Sequence, residues 1–252
     1  MSNEIDQIDF LKAENEKLKK INSVKSDLIS ISAHELRTSL SALRWILKMF
    51  TDKDLGKITP EQESFIERAT ESSDRMIDLV NNLLIFNHSE DLEIPFDFKS
   101  IDIIDIIEQT IFEFYGEAHK KNKELIFLKP NIELPNVRAD KKMIQVVFQN
   151  LIENAIKYSD KDDKIFISLK YYKKENNIEV SIHDTGIGIS KDDHDKVFSK
   201  FFRAQNAIKK DPLGSGLGLF TTQNIVNHHK GKIWFESSPN MGTTFFVALP
   251  IF

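Results

Sequence analysis

The scarcity of helix-breaking residues in the first part of the chain restricts its fold more than any other feature. Residues 1–90 contain one glycine and one proline, both within the segment TDKDLGKITPEQ. Because these residue types most often end a helix, this part can form two long helices with one connector. Residues 59–62, TPEQ, have the pattern of an N-cap, a first-turn proline and a capping-box glutamine. We predict one helix ending near Phe50 and another from Pro60 to about Asn87.

Both predicted helices have apolar faces wider than one antiparallel partner can cover. In the first, Leu36, Leu40 and Leu43 recur four and three residues apart, and a second stripe with Ile31 and Trp45 lies beside them. Two hairpins forming a four-helix bundle would cover both stripes. The sequence therefore predicts a homodimer through the helical hairpin. A hairpin packed against its own second domain is the alternative.

A heptad signal precedes the hairpin, within residues 1–23. Leu11 and Leu18 lie seven residues apart, which favours a short coiled coil entering the bundle. Glu14 and Lys25 would occupy seam positions of that coiled coil, so a solvated helix is the alternative.

The periodicity changes after residue 90, where DLEIPFDFKS leads into alternating helical and strand patterns. KIFISLKYY with NIEVSIHD, and KIWFESS with TTFFVALPI, read as two hairpins. The predicted fold class is an all-α helical hairpin, a four-helix bundle as a dimer, followed by a two-layer α/β sandwich with a mixed sheet. The predicted parts are an N-terminal helix at 1–23, the hairpin at 24–90, a linker at 91–98 and the α/β domain at 99–252.

Composition excludes several classes of function. The net charge of -5 and the lack of a long basic block argue against nucleic-acid binding. The absence of cysteine excludes disulfides, thiol catalysis and cysteine-ligated metals. No apolar run approaches the ~20 residues that span a bilayer, and the polar, acidic N-terminus does not read as a signal peptide. The expected compartment is the cytoplasm, and any membrane part of a membrane-bound sensor would lie outside this chain.

One titratable pair stands out on the first helix. His34 shares the polar side with Ser30, Arg37 and Ser41, next to Glu35 at the edge of the second apolar stripe. The spacing therefore predicts that His34 points outward and is not a core histidine.

Three motifs in the second half have the chemistry of a nucleotide site. They are QNLIENAIKYS on a helix, DTGIGI directly after a strand, and GSGLGL at the start of a helix. The Asp184 carboxylate can accept a hydrogen bond from an exocyclic amine such as that of adenine. Gly186 and Gly188 let the backbone approach a flat base. A glycine-rich turn at a helix N-terminus presents free N–H groups to phosphates.

The helix motif supplies two further groups. An asparagine side-chain oxygen is a hard, neutral ligand that suits Mg²⁺ shared with phosphates, and Asn150 and Asn154 lie four residues apart on one face. Lys157 follows Asn154 by about one turn and adds positive charge near the phosphates.

In their order and spacing, HELRT, NLIENAIKYS, DTGIGI, FFRA, GSGLGL and NMGTTF resemble the cytoplasmic kinase core of two-component sensor histidine kinases. The resemblance extends from about Val24 to the C-terminus. The second half is similar to the Bergerat-fold ATPases, which also include the heat-shock chaperone and mismatch-repair ATPases. That wider ATPase class is an alternative, against which the histidine-bearing hairpin argues.

The resemblance implies roles for three residues of the first helix. His34 matches the phosphoacceptor that attacks the γ-phosphate of ATP, and Glu35 matches the general base beside it. Thr38 completes the pattern H-E-x-x-T and matches the residue that orients water when a response regulator is dephosphorylated.

The resemblance also implies a site for ATP and Mg²⁺. Asn154 matches the Mg²⁺ ligand, Asp184 matches the adenine-reading residue, and Asn150 supports Asn154. The other matched residues are Lys157, Tyr158, Gly186, Gly188, Arg203, Gly214, Ser215, Gly216, Leu217, Gly218 and Thr244. Residues 198–213 correspond to a mobile lid in which Arg203 reaches the phosphates and Lys209 and Lys210 form a solvated face. Thr243 could support the adenine pocket together with Thr244. A packing role for Tyr158 and an ordinary strand role for both threonines are the alternatives.

One position departs from the family pattern. The family usually has proline where this chain has Ser39. Proline in a helix removes one backbone hydrogen bond and kinks the helix, so serine predicts a straighter first helix and a changed balance between kinase and phosphatase states.

The implied protein autophosphorylates His34, passes the phosphoryl group to an aspartate of a separate response regulator, and dephosphorylates that regulator. Its sensor domain is not in this chain. The alternative is an ATP-binding scaffold, or a phosphatase-biased core without efficient autokinase activity.

Overall fold

The computed structural model describes residues 2–90, 96–160, 162–212 and 214–251, which divide into compact units at residues 1–94 and 95–252. In the first unit, helix α1 spans Ser2–Thr51 and helix α2 spans Pro60–Glu90. The Thr59 amide donates to Gln62 Oε1 at 2.8 Å, and the Gln62 amide donates to Thr59 Oγ1 at 3.2 Å. These reciprocal bonds confirm the predicted start of α2.

Helices α1 and α2 bury one stripe of residues between them. Ala33 and Val80 are buried, and the buried Ser73 hydroxyl donates to the Leu40 carbonyl at 3.4 Å. Arg44 Nε lies 2.8 Å from Asp74 Oδ1 across the same pair of helices. Large apolar side chains outside this stripe stay exposed: Leu28, Ile31, Leu36, Trp45, Phe65, Met76 and Leu79. The hairpin therefore covers only part of its apolar surface by itself.

The second unit is a mixed sheet with helices packed against it. Its strands are β1 (Lys99–Ile101), β2 (Glu124–Leu128), β3 (Val137–Ala139), β4 (Lys164–Tyr172), β5 (Asn177–Asp184), β6 (Lys232–Ser237) and β7 (Thr243–Pro250). Its helices are α3 (Ile103–Lys120), α4 (Lys141–Tyr158), α5 (Gln205–Lys210) and α6 (Gly218–His228), with a 3-10 helix at Lys191–Lys196.

The main sheet has the order β2-β4-β5-β7-β6. Strand β2 runs parallel to β4, and every other neighbouring pair is antiparallel. Burial alternates along β5 and β7, as expected for a sheet with one face on the core. The core contains the apolar side chains of α3 and α4, including Ile106, Phe148 and Leu151. The predicted hairpin and α/β sandwich are thus confirmed.

The sequence prediction missed a small second sheet. Strand β1 pairs antiparallel with β3, and each has three residues. The segment IDIIDIIEQTIFEFYGEAHKKN, residues 101–122, has helical spacing throughout, but Ile101 belongs to β1 and Asp102 is the N-cap of α3. Such short strands carry too few residues for a period of two to be visible.

Asp140 joins several segments of the second unit at the start of α4. Its Oδ1 accepts from the amides of Lys142 and Met143 at 3.0 and 3.2 Å, and its Oδ2 accepts from the Asp97 amide at 3.0 Å. The Asp140 amide donates to Nε2 of the buried His229 at 3.0 Å. Burial lowers the pKa of His229, which keeps its ring neutral so that Nε2 can accept.

This arrangement predicts unequal effects of two N-cap substitutions. Asp140→Ala should lower the free energy of unfolding by about 2 kcal/mol, the upper end for an N-cap, because three amides lose their acceptor. Asp102→Ala, the matched control, removes the bond from the Ile104 amide and should cost about 1 kcal/mol. Urea unfolding followed by circular dichroism measures both, and equal losses would contradict the wider role of Asp140.

Among the helices that the structure describes, none combines the length and apolar character needed to cross a bilayer.

Candidate functional site

Asp184 ends β5 and is buried. Its Oδ1 accepts hydrogen bonds from the Gly186 amide at 2.9 Å and the Thr243 amide at 3.3 Å. Its Oδ2 makes no hydrogen bond to any residue in the described ranges. Burial raises the pKa of Asp184 to about 6, against the opposing effect of the two amides. The carboxylate therefore keeps one oxygen available to a donor from a ligand.

The segments around Asp184 approach one another backbone to backbone. A Cβ on Gly186 would lie 2.2 Å from the Tyr158 carbonyl oxygen, and one on Gly188 would lie 1.9 Å from the Ser238 carbonyl oxygen. Gly188 also has a φ of +62°, which favours glycine. The same closeness recurs at Gly242, where a Cβ would lie 1.9 Å from the Asp184 carbonyl oxygen.

The two asparagines of α4 have different surroundings. Asn150 Nδ2 donates to the Gly218 carbonyl and to Thr222 Oγ1, both at 3.3 Å, and so ties α4 to the start of α6. Asn154 is half-buried, and its side chain forms no hydrogen bond within the described part of the chain. Its amide oxygen is thus available as a ligand.

The residues around Asn154 fit a metal that is shared with a ligand. No group of three or more His, Asp or Glu side chains among the described residues is arranged to hold a metal. Mg²⁺ in nucleotide sites typically takes one or two protein ligands together with phosphates and waters. A single asparagine oxygen that is free of other described partners agrees with that pattern.

The glycine-rich loop leads directly into α6. Leu217 is the buried N-cap, and no side chain caps the helix. Ser215 Oγ accepts from the Leu217 amide at 3.2 Å, while the Gly216 carbonyl accepts from the Phe201 amide at 3.1 Å. The first turn of α6 therefore presents amides and positive dipole without a competing side-chain cap, which suits an anion.

The segment that includes α5 is fastened to the end of α4. Lys157 Nζ lies 2.6 Å from Asp211 Oδ2. The Arg203 guanidinium donates to the Asp211 and Pro212 carbonyls. Lys210 Nζ donates to Asp160 Oδ1 at 2.6 Å. The expected solvated face is wrong for Lys210, because its ammonium pairs with Asp160 and also donates to the Tyr158 carbonyl; Lys209 is exposed.

Tyr158 takes part chiefly through its backbone. Its carbonyl accepts from the Ile187 amide at 3.2 Å and from Lys210 Nζ at 3.0 Å. Its ring centroid lies 5.8 Å from Lys157 Nζ. Tyr158 therefore joins α4 to the segment after Asp184.

The sequence predicts that Thr244 belongs to the nucleotide site, but in the structure its side chain lies on the other face of the sheet. Neighbouring residues of a strand face opposite sides of the sheet, and Thr243 pairs with Asp184 whereas Thr244 pairs with His183. The Thr244 hydroxyl lies 2.8 Å from His183 Nδ1, on the opposite face from the Asp184 side chain. Thr243, through its amide, is the residue that reaches Asp184.

His34 is displayed on the surface of α1, with 74% of its side chain exposed. Its Nδ1 lies 4.0 Å from Glu35 Oε1, which is longer than a hydrogen bond. The Thr38 hydroxyl donates to the His34 carbonyl and the Ser39 hydroxyl donates to the Glu35 carbonyl, each at 3.0 Å. Helix α1 continues through Ser39 without a break.

Comparison with known proteins identifies the family to which the two units are similar. Residues 24–91 match the His Kinase A (phospho-acceptor) domain, and residues 139–251 match the histidine kinase-, DNA gyrase B- and HSP90-like ATPase domain. The chain is 32% identical over 235 residues to the sensor histidine kinase WalK of Bacillus subtilis, covering 92% of this chain and 37% of WalK. It is 30% identical over 236 residues to the sensor protein RprX of Bacteroides fragilis, covering 92% and 45%. It thus spans less than half the length of these relatives.

Solved structures agree with this assignment. A full-length structure of ShkA in complex with AMPPNP is similar with a TM-score of 0.71 and 23% identity, covering 89% of this chain and 45% of ShkA. The catalytic domain of the histidine kinase ThkA is similar with a TM-score of 0.53 and 29% identity, covering 61% and 95%.

The fold and the two matched domains define a phosphoacceptor hairpin joined to an ATPase domain of the histidine kinase type. The chain belongs to the two-component sensor histidine kinases, whose kinase core it contains.

Proposed function

We propose that this chain is an ATP-dependent protein-histidine kinase that phosphorylates His34. The proposal depends mainly on two oxygen atoms that form no hydrogen bond to any described residue, Asp184 Oδ2 and the Asn154 amide oxygen. Both belong to an ATPase-type domain that also contains a glycine loop, on a chain that displays His34 in a phosphoacceptor domain.

The chain's own residues bind and orient the nucleotide. Asp184 Oδ2 accepts from the adenine amine, beside the segments that Gly186 and Gly188 hold against the Tyr158 and Ser238 carbonyls. Lys157, Arg203 and the first turn of α6 attract the phosphates. Asn154 would hold Mg²⁺, which neutralises charge on the phosphates when it is bound.

The transfer itself joins His34 to the terminal phosphate. A ring nitrogen of neutral His34 forms the N–P bond, the bond from the γ-phosphorus to the bridging oxygen breaks, and ADP leaves with that electron pair. Glu35 accepts the proton from the other ring nitrogen, because its carboxylate is the adjacent base. A small side-chain rotation from the 4.0 Å separation brings Glu35 Oε1 within hydrogen-bond distance of His34 Nδ1.

The same core would act with two partners. A homodimer through the hairpin is supported by the exposed stripe of Ile31, Trp45 and Phe65, which α1 and α2 leave uncovered. A separate response regulator would receive the phosphoryl group on an aspartate, and Thr38 would orient water for its dephosphorylation. We assign these roles to residues 24–90 of a cytoplasmic core, with the nucleotide site in 99–252 and residues 91–98 as the linker.

Labelling of the unaltered chain tests the kinase proposal. Incubation with Mg²⁺ and γ-labelled ATP should give a label that is lost in acid and kept in alkali, as for a phosphoramidate. Peptide mapping should place it on the segment with His34. An acid-stable label, or no label despite measurable ATP binding, would contradict the kinase and favour the scaffold or phosphatase-biased reading.

Ser39 provides a test of that second reading. Ser39→Pro removes the backbone donor of residue 39 from α1 and should kink the helix one turn after His34. We expect the ratio of autokinase to regulator-phosphatase activity to change by about fivefold or more, equivalent to about 1 kcal/mol between two helix conformations. Ser41→Ala, on the same helix face as His34, is the control. An unchanged ratio would show that residue 39 does not set the balance.

A further inference from the structure

Two cations of the candidate phosphate site converge on one carboxylate. Asp211 Oδ2 lies 2.6 Å from Lys157 Nζ and 3.5 Å from Arg203 Nη2. All three side chains are largely shielded, with exposed fractions of 25% for Lys157, 12% for Arg203 and 20% for Asp211. Partial burial reduces solvent screening, so these pairs are stronger than exposed ion pairs of the same length.

The glycine loop adjoins this cluster. A Cβ on Gly214 would lie 3.0 Å from Arg203 Cζ and 3.0 Å from Asp211 Oδ2. The carboxylate therefore lies beside the loop that leads to the uncapped start of α6. An anionic group of the protein is already held by the cations assigned to the nucleotide's phosphates.

We propose that Asp211 is an internal counter-anion that competes with the nucleotide's phosphates for Lys157 and Arg203. This inference rests on the proposed nucleotide site and assigns it a specificity residue that contacts neither base nor metal. Phosphates reach the two cations when the Asp211 carboxylate leaves them. The exchange replaces one anion by another, so only the difference between the two interactions contributes to affinity.

The competition has a chemical signature. It lowers the affinity for nucleotides whose phosphates reach Lys157 and Arg203, and it leaves adenosine unaffected because adenosine has no phosphate. Asp211 thus reduces the preference of the site for a nucleoside triphosphate over the bare nucleoside.

Neutral substitutions of Asp211 test the inference. In the full chain with Mg²⁺, Asp211→Asn should tighten binding of the non-hydrolysable triphosphate AMPPNP by about three- to tenfold, the range expected for release of a partly buried ion pair. Its adenosine affinity should equal that of the unaltered chain. Asp211→Ser, a second neutral variant, should behave alike, and Asp211→Glu, which keeps the carboxylate, should retain the original AMPPNP affinity. Calorimetric titration measures each affinity, and the thermal unfolding midpoint verifies folding.

Asp160→Asn is the matched control. It removes the ion pair between the α5 segment and the residues that follow α4, Lys210 Nζ with Asp160 Oδ1 at 2.6 Å, through the same change of charge and without touching Lys157 or Arg203. The AMPPNP affinity of Asp160→Asn should stay within about twofold of that of the unaltered chain. Asp160 is exposed, so its ion pair is weak. An equal gain in Asp160→Asn would overturn the inference, because release of the segment alone would then explain the result.

The remaining outcomes separate the inference from the proposed function. If the unaltered chain binds AMPPNP and Asp211→Asn binds it equally or more weakly, Asp211 positions the two cations or has no effect, and the inference fails alone. If the unaltered chain binds neither AMPPNP nor adenosine, the proposed nucleotide site fails and the inference fails with it.

Discussion

Replacing either His34 or Asn154 by alanine should reduce incorporation of acid-labile phosphate by at least about 100-fold, the loss expected when a nucleophile or a metal ligand is removed from phosphoryl transfer. The two losses have different causes. His34→Ala removes the acceptor nitrogen and leaves the nucleotide site intact. Asn154→Ala keeps the acceptor and removes the oxygen that we propose as the Mg²⁺ ligand.

Binding measurements distinguish the two variants. His34→Ala should bind Mg²⁺ with AMPPNP as the original chain does, whereas Asn154→Ala should lose the Mg²⁺-dependent part of that affinity and keep its affinity for adenosine. The controls are His119→Ala and Asn227→Ala, which alter exposed side chains of the second unit and should leave labelling unchanged. Full labelling of His34→Ala would reject His34 as the acceptor.

Replacing Asp184 by asparagine should weaken adenosine binding by about 100-fold, a loss typical of a charge-assisted hydrogen bond whose partner is left facing another donor. Asp184 Oδ1 is already held by the Gly186 and Thr243 amides. The asparagine oxygen would keep these two bonds, so its NH₂ group would take the place of Oδ2 and face the amine of the base. Calorimetric titration with adenosine measures the loss, and equal affinity would show that Asp184 does not recognise the base.

The same substitution should stabilise the fold at neutral pH. Burial raises the pKa of Asp184 from 3.8 to about 6, so the folded chain holds this proton more tightly than the unfolded chain. As pH rises from about 4 to 6, ionisation removes about 3 kcal/mol of stability, and asparagine has no such ionisation. Asp184→Asn should therefore be more stable by about 2 kcal/mol at pH 7.5, allowing for an unpaired N–H, with little gain near pH 4.

Urea unfolding at several pH values checks this prediction, with the exposed Asp195→Asn as control. Adenosine binding by the original chain should also weaken as pH falls below about 6, because a protonated Oδ2 no longer accepts. Loss of stability in Asp184→Asn at pH 7.5 would contradict the cause assigned to the raised pKa.

Much of the fold follows from periodicity over long segments. The capping box at Thr59 and Gln62 and the alternation of β4, β5 and β7 each repeat a local rule over enough residues to be read in one dimension. The β1–β3 sheet was not predicted because it depends on the pairing of Ile101 with Val137, which lie far apart in the sequence. No local pattern encodes such a pairing.

The residues of the candidate site likewise differ in whether a local sequence motif predicts them. Asp184, the glycines, Asn150 and Asn154 belong to short motifs with their own chemistry, whereas Asp211 is an ordinary residue type in unremarkable surroundings. Its importance arises from the pairing with Lys157 that only the folded chain creates. The sequence named both Thr243 and Thr244, and the folded chain shows that Thr243 is the one that contacts Asp184. The alternation of strand faces offered one available signal, since Thr243 and Thr244 cannot both face Asp184.

The close backbone contacts at Gly186, Gly188 and Gly242 determine which substitutions this site can tolerate. The nearest neighbours of these glycines are the carbonyl groups of Tyr158, Ser238 and Asp184, which every amino acid carries. Mutations that exchange the side chains of Tyr158 or Ser238 leave those carbonyls available to hold the same outline. Mutations at the three glycines insert a carbon where main chain already stands. The side chains of Tyr158 and Ser238 can therefore vary while the backbone contacts at the three glycines stay in place.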